Sequence, residues 1–228
     1  MKNASTELGK VQAILLDLDA TLVDSRGIYT RAFQHVFRDI LGVELRPEDR
    51  KKYMGLPTRE FLSQYSNGKQ VDELVKTLNL YLARLMPEIR LFEGFETVLP
   101  ELHRLGIKLA VVTSQTRVEC QTTRQYLHID PWIDQWVTVE DSAQPKPGPE
   151  PVWVALMRLG VAGSQALMVG DSEFDLKSGR AAGVRVGAAL WGAADPAGLL
   201  ALSPDSVFHT PQDLLKLIQA HEITSTEK

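Results

Sequence analysis

The chain has 228 residues, 44% of them hydrophobic and 24% charged, which is typical of a globular protein with a buried core. Its formal net charge of -4 and pI near 5.8 give no electrostatic reason to expect binding to nucleic acid or to an anionic membrane. The polar residues 1–10 lack the apolar core of a signal peptide, and no segment reaches a membrane-spanning length, so we expect a cytoplasmic protein. Cys120 is the single cysteine, which excludes an internal disulfide and a cysteine-based zinc cluster.

Short apolar runs of strand length recur along the chain, with helical patterns between most of them. The runs cover residues 11–16, 107–112, 136–139, 166–169 and 184–189. Helical spacing of apolar residues predicts helices at 95–105, 117–127, 152–159 and 214–218, the first of them starting or bending near Pro100. This alternation predicts an α/β fold with a Rossmann-like parallel sheet covered by helices on both faces.

The stretch between the first and second strands breaks this alternation. It is about ninety residues long and carries only helical patterns and loop signals, which is too long for an ordinary crossover. Apolar residues recur at helical spacing over 28–41 and again over 71–86. We therefore predict a small all-helical cap domain over 24–91, inserted into a core domain formed by 1–23 and 92–228.

The first predicted strand runs directly into Asp17-Leu18-Asp19-Ala20-Thr21. The carboxyl ends of parallel strands line the ligand crevice, and alternation along an extended chain puts both carboxylates on one side. Two such negative charges favour a bound divalent cation. One carboxylate can attack phosphorus while the other transfers protons. Asp also favours turns for its own reasons, so this motif alone leaves a plain turn equally open.

Two further motifs could bind and neutralise a phosphate. The second strand ends in Thr113-Ser114, where a hydroxyl and a backbone amide can hold a phosphate oxygen. Lys146 stands between two prolines, and this rigid backbone suits a cation that balances a carboxylate cluster. Taken singly, each has a plainer interpretation as a capping residue or a solvated lysine.

The fourth strand is followed by Asp171 and, one helical turn later, by Asp175. Magnesium prefers hard oxygen ligands and keeps several waters, so Asp171 can complete a site with Asp17 and the backbone carbonyl of Asp19. Asp175 reaches the same crevice as a ligand or as a support for the ligands. A capping role for these carboxylates is again the alternative.

These four motifs, in this order, resemble those of the haloacid dehalogenase superfamily. A helical insertion straight after the first motif is similar to the phosphoglycolate phosphatase-like and beta-phosphoglucomutase-like subfamily. The resemblance implies that Asp17 is the nucleophile and a metal ligand, that Asp19 is the general acid and base and offers its carbonyl to Mg²⁺, and that Asp171 is a direct metal ligand. It implies phosphate binding by Leu18, Thr113, Ser114 and Lys146, and supporting roles for Thr21, Ser172 and Asp175.

Ala20 is the one departure, because this family usually has glycine at that position. If the residue requires a positive backbone φ angle, the methyl group adds strain. We expect activity to be retained.

The resemblance predicts a phosphatase that hydrolyses a phosphorylated small metabolite, such as a phosphoglycolate-like compound or a sugar phosphate, through an aspartyl-phosphate. The loop 55–60 is expected to face the active site. Within it Arg59 is a candidate ligand for a substrate anion, although an exposed arginine at a helix start is the commoner situation. Lys51 and Lys52 are weaker candidates.

Three alternatives remain open at this point. A phosphosugar mutase would re-use the phosphoenzyme instead of hydrolysing it, and a pyrophosphatase or nucleotide phosphatase would use the same core. A non-catalytic binding module that has kept the fold is disfavoured, because all four motifs are intact. The expected partner is a phosphorylated small molecule, without nucleic acid or membrane, and the sequence does not determine the oligomeric state.

Overall fold

A computed structural model describes residues 11–46, 49, 56, 58–66 and 68–226, and in it the predicted parallel sheet is present. Its strands pair in the order β3-β2-β1-β4-β5-β6, and every pair is parallel. They are β1 (Ala13–Leu16), β2 (Lys108–Val112), β3 (Gln135–Val137), β4 (Ala166–Gly170), β5 (Arg185–Ala189) and β6 (Ser206–Phe208). The chain order reverses at β1, so the crevice of this sheet lies at the carboxyl end of β1, between β2 and β4. The sequence missed β6, although β3, which is equally short, was predicted from the longer apolar run 136–139.

Helices cover both faces of the sheet and fill the stretch between β1 and β2. Among the described residues they are α1 (Arg26–His35), α2 (Thr58–Ser63), α3 (Gly68–Leu85), α4 (Phe95–Arg104), α5 (Arg117–Leu127), α6 (Glu150–Leu159), α7 (Glu173–Ala181), α8 (Pro196–Ala201) and α9 (Gln212–Thr226). A π-helical turn, Val36–Ile40, continues α1. Within the described residues, none of the helices has both the length and the apolar character that crossing a membrane requires.

The residues of β1 alternate between two hydrophobic layers. Ile14 and Leu16 belong to the cluster that includes α4 and α9, whereas Ala13 and Leu15 belong to the cluster that includes α6 and α7. All four are fully buried. A strand that is covered on both faces must be apolar at every position, which is why β1 reads as a continuous apolar run instead of an alternating one.

An aromatic cluster packs within the helical segment, by which we mean α1, α2 and α3 with the chain between them. Phe61 of α2 packs edge-on against Phe33 of α1 at 5.3 Å between ring centroids and also contacts Phe37 at 6.0 Å. The two connections to the core run side by side, since Val23 and Leu91 form an antiparallel bridge. This bridge lies at the predicted domain limits, 23/24 and 91/92; the division into two domains remains a prediction.

The helix α4 occupies the predicted range 95–105, and of the two possibilities at Pro100, a start or a bend, it excludes the start. It begins at Phe95 and runs through Pro100 to Arg104, so it does not start at the proline. Pro100 cannot donate to the carbonyl of Glu96, but Glu96 is exposed and water can reach it. The buried side chains of this helix, Phe95 and Leu99 among them, fix it against the core. Burial has therefore outweighed the cost of the proline.

The turn after β1 has a strained residue at its centre. Ala20 adopts φ +62°, and its amide donates to the carbonyl of Val23 at 2.8 Å. A loop after β5 closes on this turn: a Cβ on Gly192 would lie 1.5 Å from the carbonyl oxygen of Ala20, so only glycine fits there. The indole nitrogen of Trp191 donates to the carbonyl of Thr21 at 2.8 Å. The positive φ that would make the methyl group of Ala20 costly is thus present.

Replacing Ala20 by glycine should remove this strain. A positive φ costs a non-glycine residue about 1–2 kcal/mol. The control is Ala155→Gly, at an equally buried position inside α6. We expect Ala20→Gly to lower the free energy of unfolding by at least about 1 kcal/mol less than this control does. Urea denaturation gives the free energy of unfolding of both variants. Equal losses would show that Ala20 carries no strain.

Candidate active site

The four sequence motifs meet at the carboxyl end of the sheet. Asp17 follows β1, Thr113 follows β2 and Asp171 follows β4, and all three are buried. They bound a small cavity of about 30 Å³. Its lining consists of Asp17, Asp19, Thr113, Ser114, Lys146, Asp171, Ser172, Phe174 and Asp175. Of these, only Phe174 was not singled out from the sequence.

Lys146 forms the centre of this cluster. Its ammonium group donates to Asp17 Oδ1 at 2.6 Å, to Asp175 Oδ1 at 2.6 Å and to the carbonyl of Val112 at 3.0 Å. These three bonds use all the hydrogens that an ammonium group offers. Burial lowers the pKa of Lys146, but Asp17 and Asp175 outweigh it and hold the pKa above its usual value. Lys146 is therefore a cation, bound to two carboxylates at once.

Three carboxylates lie close to one another at this site, and two of them contact Lys146. Asp17, Asp171 and Asp175 each place a carboxylate oxygen within 4.8 Å of the others. Burial, aided by Asp175 and opposed by Lys146, raises the pKa of Asp17 to about 7. Burial and then Asp17 raise the pKa of Asp171 well above its usual range. The negative charge in excess of Lys146, carried on hard oxygen atoms, suits a divalent metal ion such as Mg²⁺.

Asp175 differs from the other two carboxylates in its surroundings. Its Oδ2 accepts hydrogen bonds from the hydroxyl and the amide of Ser172 at 2.5 and 3.1 Å, and these bonds cap the start of α7. Its Oδ1 accepts a hydrogen bond from Lys146. The side chain also fills the space beside Gly170, where a Cβ would lie 2.3 Å from the Cβ of Asp175. Protein donors already occupy both oxygens of Asp175, which leaves Asp17 and Asp171 better placed to bind a metal.

Thr21 and Leu18 lie behind the cavity. The hydroxyl of Thr21 donates to Asp171 Oδ1 at 3.0 Å and so orients that carboxylate. Leu18 is fully buried, and its carbonyl accepts the amides of Leu22 and Val23 at 3.0 and 2.9 Å. These contacts shape the turn that carries Asp17 and Asp19 away from β1.

Asp19 faces a different set of partners. Its Oδ2 accepts from the side-chain amide of Gln115 at 2.8 Å, whereas its Oδ1 is buried without a well-formed hydrogen bond to any described residue. Burial raises the pKa of Asp19 to about 6, and Ser25 and Gln115 oppose this rise. No well-aligned bond joins Ser25 to Asp19, so the Gln115 contact is the better defined one. Gln115 follows the Thr113-Ser114 motif directly, and this adjacency is the only signal in the sequence that could have found it.

A second cavity of about 220 Å³ adjoins the first and shares Asp19 and Ser114 with it. The helical segment and the core both line it; besides the shared pair its residues are Tyr29, Leu56, Thr58, Arg59, Val75, Asn79, Gln115, Thr116, Glu119 and Val139. Its position between the helical segment and the strand ends makes it the space next to any group bound in the smaller cavity.

Arg59 lines this second cavity, but its guanidinium group is already paired. It contacts Asp72 at 2.5 Å, and both side chains are exposed. Exposed pairs of this kind contribute at most about 1 kcal/mol, so a substrate anion can compete for Arg59. Leu56 of the predicted 55–60 loop also lines the cavity, whereas Lys51, Lys52 and Gly55 lie outside the described residues.

A larger cavity, of about 580 Å³, lies beside β3 and contains none of the predicted site residues. Two of the arginines that line it are paired with carboxylates: Arg124 with Asp130 at 2.9 Å and Arg158 with Asp141 at 2.7 Å. Cys120 also lines it, and burial raises the pKa of this thiol to about 12, so it is not a reactive thiolate. Volume alone therefore does not identify the active site.

Comparisons with known proteins agree with this geometry. Residues 14–189 match the family model described as haloacid dehalogenase-like hydrolase. The chain is 32% identical to the pyrophosphatase PpaX of Bacillus velezensis over 91% of this chain and 96% of that protein. It superposes with a TM-score of 0.79 and 28% identity on the haloacid dehalogenase-like protein SP0104 of Streptococcus pneumoniae, covering 91% of this chain and 98% of that one.

A structure described as a predicted phosphoglycolate phosphatase, from Haemophilus somnus, superposes with a TM-score of 0.81 over 91% of this chain and 97% of that one. Its identity is only 22%, so this likeness concerns the fold alone. The family model, by contrast, spans most of the chain and includes β1, the helical segment and β5. The chain belongs to the haloacid dehalogenase-like hydrolases.

Proposed function

We propose that this hydrolase is a magnesium-dependent phosphatase that transfers the phosphate of a small-molecule monoester to Asp17 and then to water. The observation that carries the proposal is the 2.6 Å contact of Asp17 with Lys146, inside a cavity that Asp171 also lines. That the chain is a phosphatase of its family follows from the family match and from relatives named pyrophosphatase. The metal, the substrate and the individual roles are the proposed part.

Asp17 is the nucleophile in this proposal. Lys146 fixes its Oδ1, which leaves the other oxygen to attack phosphorus in line with the leaving oxygen. Mg²⁺ held by Asp17, Asp171 and the carbonyl of Asp19 would neutralise charge on the phosphate. The hydroxyl of Thr113 and the amides of Leu18 and Ser114 hold the remaining phosphate oxygens. Lys146, whose three hydrogens are already bonded, acts on the phosphate through its positive charge.

Asp19 donates a proton in the first step of this proposal and accepts one in the second. As the bond from phosphorus to the leaving oxygen breaks, its electron pair goes to that oxygen, which takes the proton of Asp19. The carboxylate then accepts a proton from the water that hydrolyses the aspartyl-phosphate. A pKa of about 6 leaves Asp19 able to act in both directions near neutral pH.

The leaving group would occupy the 220 Å³ cavity, with the helical segment acting as a cap over it. This volume is below the roughly 300–1,000 Å³ of drug-sized sites, which favours a small metabolite. Arg59 is the described cation that could bind a second anionic group there. Pyrophosphate is the second candidate substrate, because a relative of this chain is named pyrophosphatase PpaX. A cytoplasmic location remains a prediction.

Asp17→Asn should lower kcat/KM by at least about 10³-fold, because an amide is a poor nucleophile toward phosphorus. The assay is phosphate release from a panel of small phosphate monoesters and pyrophosphate, with Mg²⁺ or with chelator. Asp130→Asn, a surface change beside Arg124, serves as the matched control and should keep full activity. Unchanged turnover in Asp17→Asn would contradict the proposed nucleophile.

The same panel separates the alternatives. Fast release of phosphate from monoesters without a bisphosphate activator excludes a mutase as the main activity. Turnover confined to pyrophosphate would assign the second candidate. Absence of turnover on every compound by the unmodified enzyme would contradict the phosphatase proposal as a whole.

Magnesium should stabilise the protein more at about pH 8 than at about pH 5.5. The pKa of Asp17 is about 7 in the metal-free fold, above its usual value of 3.8, so the folded protein keeps a proton there up to about pH 7. Protonation of Asp17 favours the folded state, and this stabilisation is lost as the pH rises through about 7. Below about pH 7, protons compete with Mg²⁺ for the carboxylate of Asp17.

Melting temperatures with Mg²⁺ and with chelator, measured at both pH values, test this expectation. Asp171→Asn removes one proposed ligand and should abolish most of the magnesium-dependent rise at pH 8. An equal rise in that variant, or a larger rise at the acidic pH, would contradict the assignment of the metal site.

A further inference from the structure

Gln115 joins the catalytic edge of the sheet to the helical segment. It is buried, with 6% of its surface exposed. Its side-chain nitrogen donates to Asp19 Oδ2 at 2.8 Å and to the hydroxyl of Tyr29, on α1, at 3.1 Å. Its side-chain oxygen accepts from the hydroxyl of Thr123, on α5, at 3.3 Å. All the hydrogen-bonding groups of this amide therefore have roles, and none is turned to water.

These contacts fix which way the amide points. An ionised carboxylate only accepts hydrogen bonds, so the nitrogen of Gln115 faces Asp19, and its oxygen is then the atom that faces the hydroxyl of Thr123. The backbone is held as well, since the amide of Gln115 donates to the hydroxyl of Thr113 at 3.0 Å and its carbonyl accepts from Val139 at 3.1 Å. Gln115 is thus a rigid donor aimed at one oxygen of Asp19.

A donor on one carboxyl oxygen decides where the acid carries its proton. Oδ2 of Asp19 accepts the N–H of Gln115, so the proton belongs on Oδ1, which has no well-formed hydrogen bond to the described residues. Asp19 lines both the 30 Å³ and the 220 Å³ cavity. A substrate with its phosphate in the first cavity and its leaving group in the second would therefore pass this carboxyl group.

We propose that Gln115 is a positioning residue for the general acid: it holds Asp19 between the two cavities with the proton on Oδ1, ready for the leaving oxygen. The inference rests on the proposed function, in which Asp19 protonates that oxygen. Gln115 itself touches neither the phosphate nor the metal in this scheme.

The dependence of rate on the leaving group tests this role. p-Nitrophenolate leaves without a proton, whereas the alkoxide of propyl phosphate needs one. General acid catalysis contributes roughly 10²–10⁴-fold, so Gln115→Leu should lower kcat/KM for propyl phosphate at least about 10-fold more than for p-nitrophenyl phosphate. The ratio kcat/KM covers the steps up to phosphoryl transfer and excludes hydrolysis of the phosphoenzyme.

Two variants of its neighbours give the comparison. Tyr29→Phe removes the other bond of the same nitrogen and should leave the ratio between the two substrates unchanged, whatever it does to KM. Thr123→Val frees the amide oxygen and should change the ratio in the same direction as Gln115→Leu but by less, about 3-fold. Circular dichroism and melting temperature check that each variant folds.

The outcomes are distinct. An equal loss on both substrates in Gln115→Leu would make Gln115 structural and overturn the inference, while the proposed function stands. If Gln115→Leu does not fold, Thr123→Val decides, and an unchanged ratio in it overturns the inference. No phosphate release by the unmodified enzyme would overturn the proposed function and this inference together.

Discussion

The ion pair network around Lys146 is the constraint on which the rest of the site depends. Asp17 and Asp175 lie close enough to repel each other, and the ammonium group between them makes their burial possible. Removing one partner of such a buried network typically costs about 3–5 kcal/mol. The network in turn fixes three separate pieces of chain: the end of β1, the start of α7 and the loop that carries Lys146, whose Gly148 carbonyl accepts the hydroxyl of Ser178 at 2.7 Å. The sheet order places these pieces together.

The two adjoining cavities differ in which part of the protein lines them. The small cavity holds the carboxylates and Lys146, all supplied by the core. The 220 Å³ cavity has a mixed lining of apolar, polar and charged side chains, and the helical segment contributes Tyr29, Asn79 and Arg59 to it. The described residues of the helical segment line the second cavity and none of them lines the first, so the buried charges do not depend on its side chains there. Asp19 and Ser114 are the two residues that both spaces share.

The sequence predicted the fold and the four motifs because both depend on local order. Asp17, Thr113 and Asp171 each follow a buried strand, and parallel strands must place these positions at one edge. The sequence could not predict side-chain contacts between residues that are far apart along the chain. Gln115 donates to Asp19, which is 96 positions away, and neither residue type indicates this contact. The short strand β6 was missed. The helix over 95–105 was predicted, but Pro100 left its start uncertain, and packing of its buried side chains places that start at Phe95. Ala20 was predicted in part: the sequence indicated strain if its φ were positive, but only the structure shows that φ is positive.

That strain has a structural reason. With φ at +62°, Ala20 turns the chain so that the residues on its two sides serve different partners: Asp19 reaches Gln115 and Thr21 reaches Asp171. An extended Ala20 would carry Thr21 onward along the strand direction and away from the carboxylate it orients. The cost of about 1–2 kcal/mol is offset in part by the hydrogen bond from the amide of Ala20 to the carbonyl of Val23. Strain at this turn therefore lets Asp19 meet Gln115 while Thr21, two residues later, orients Asp171.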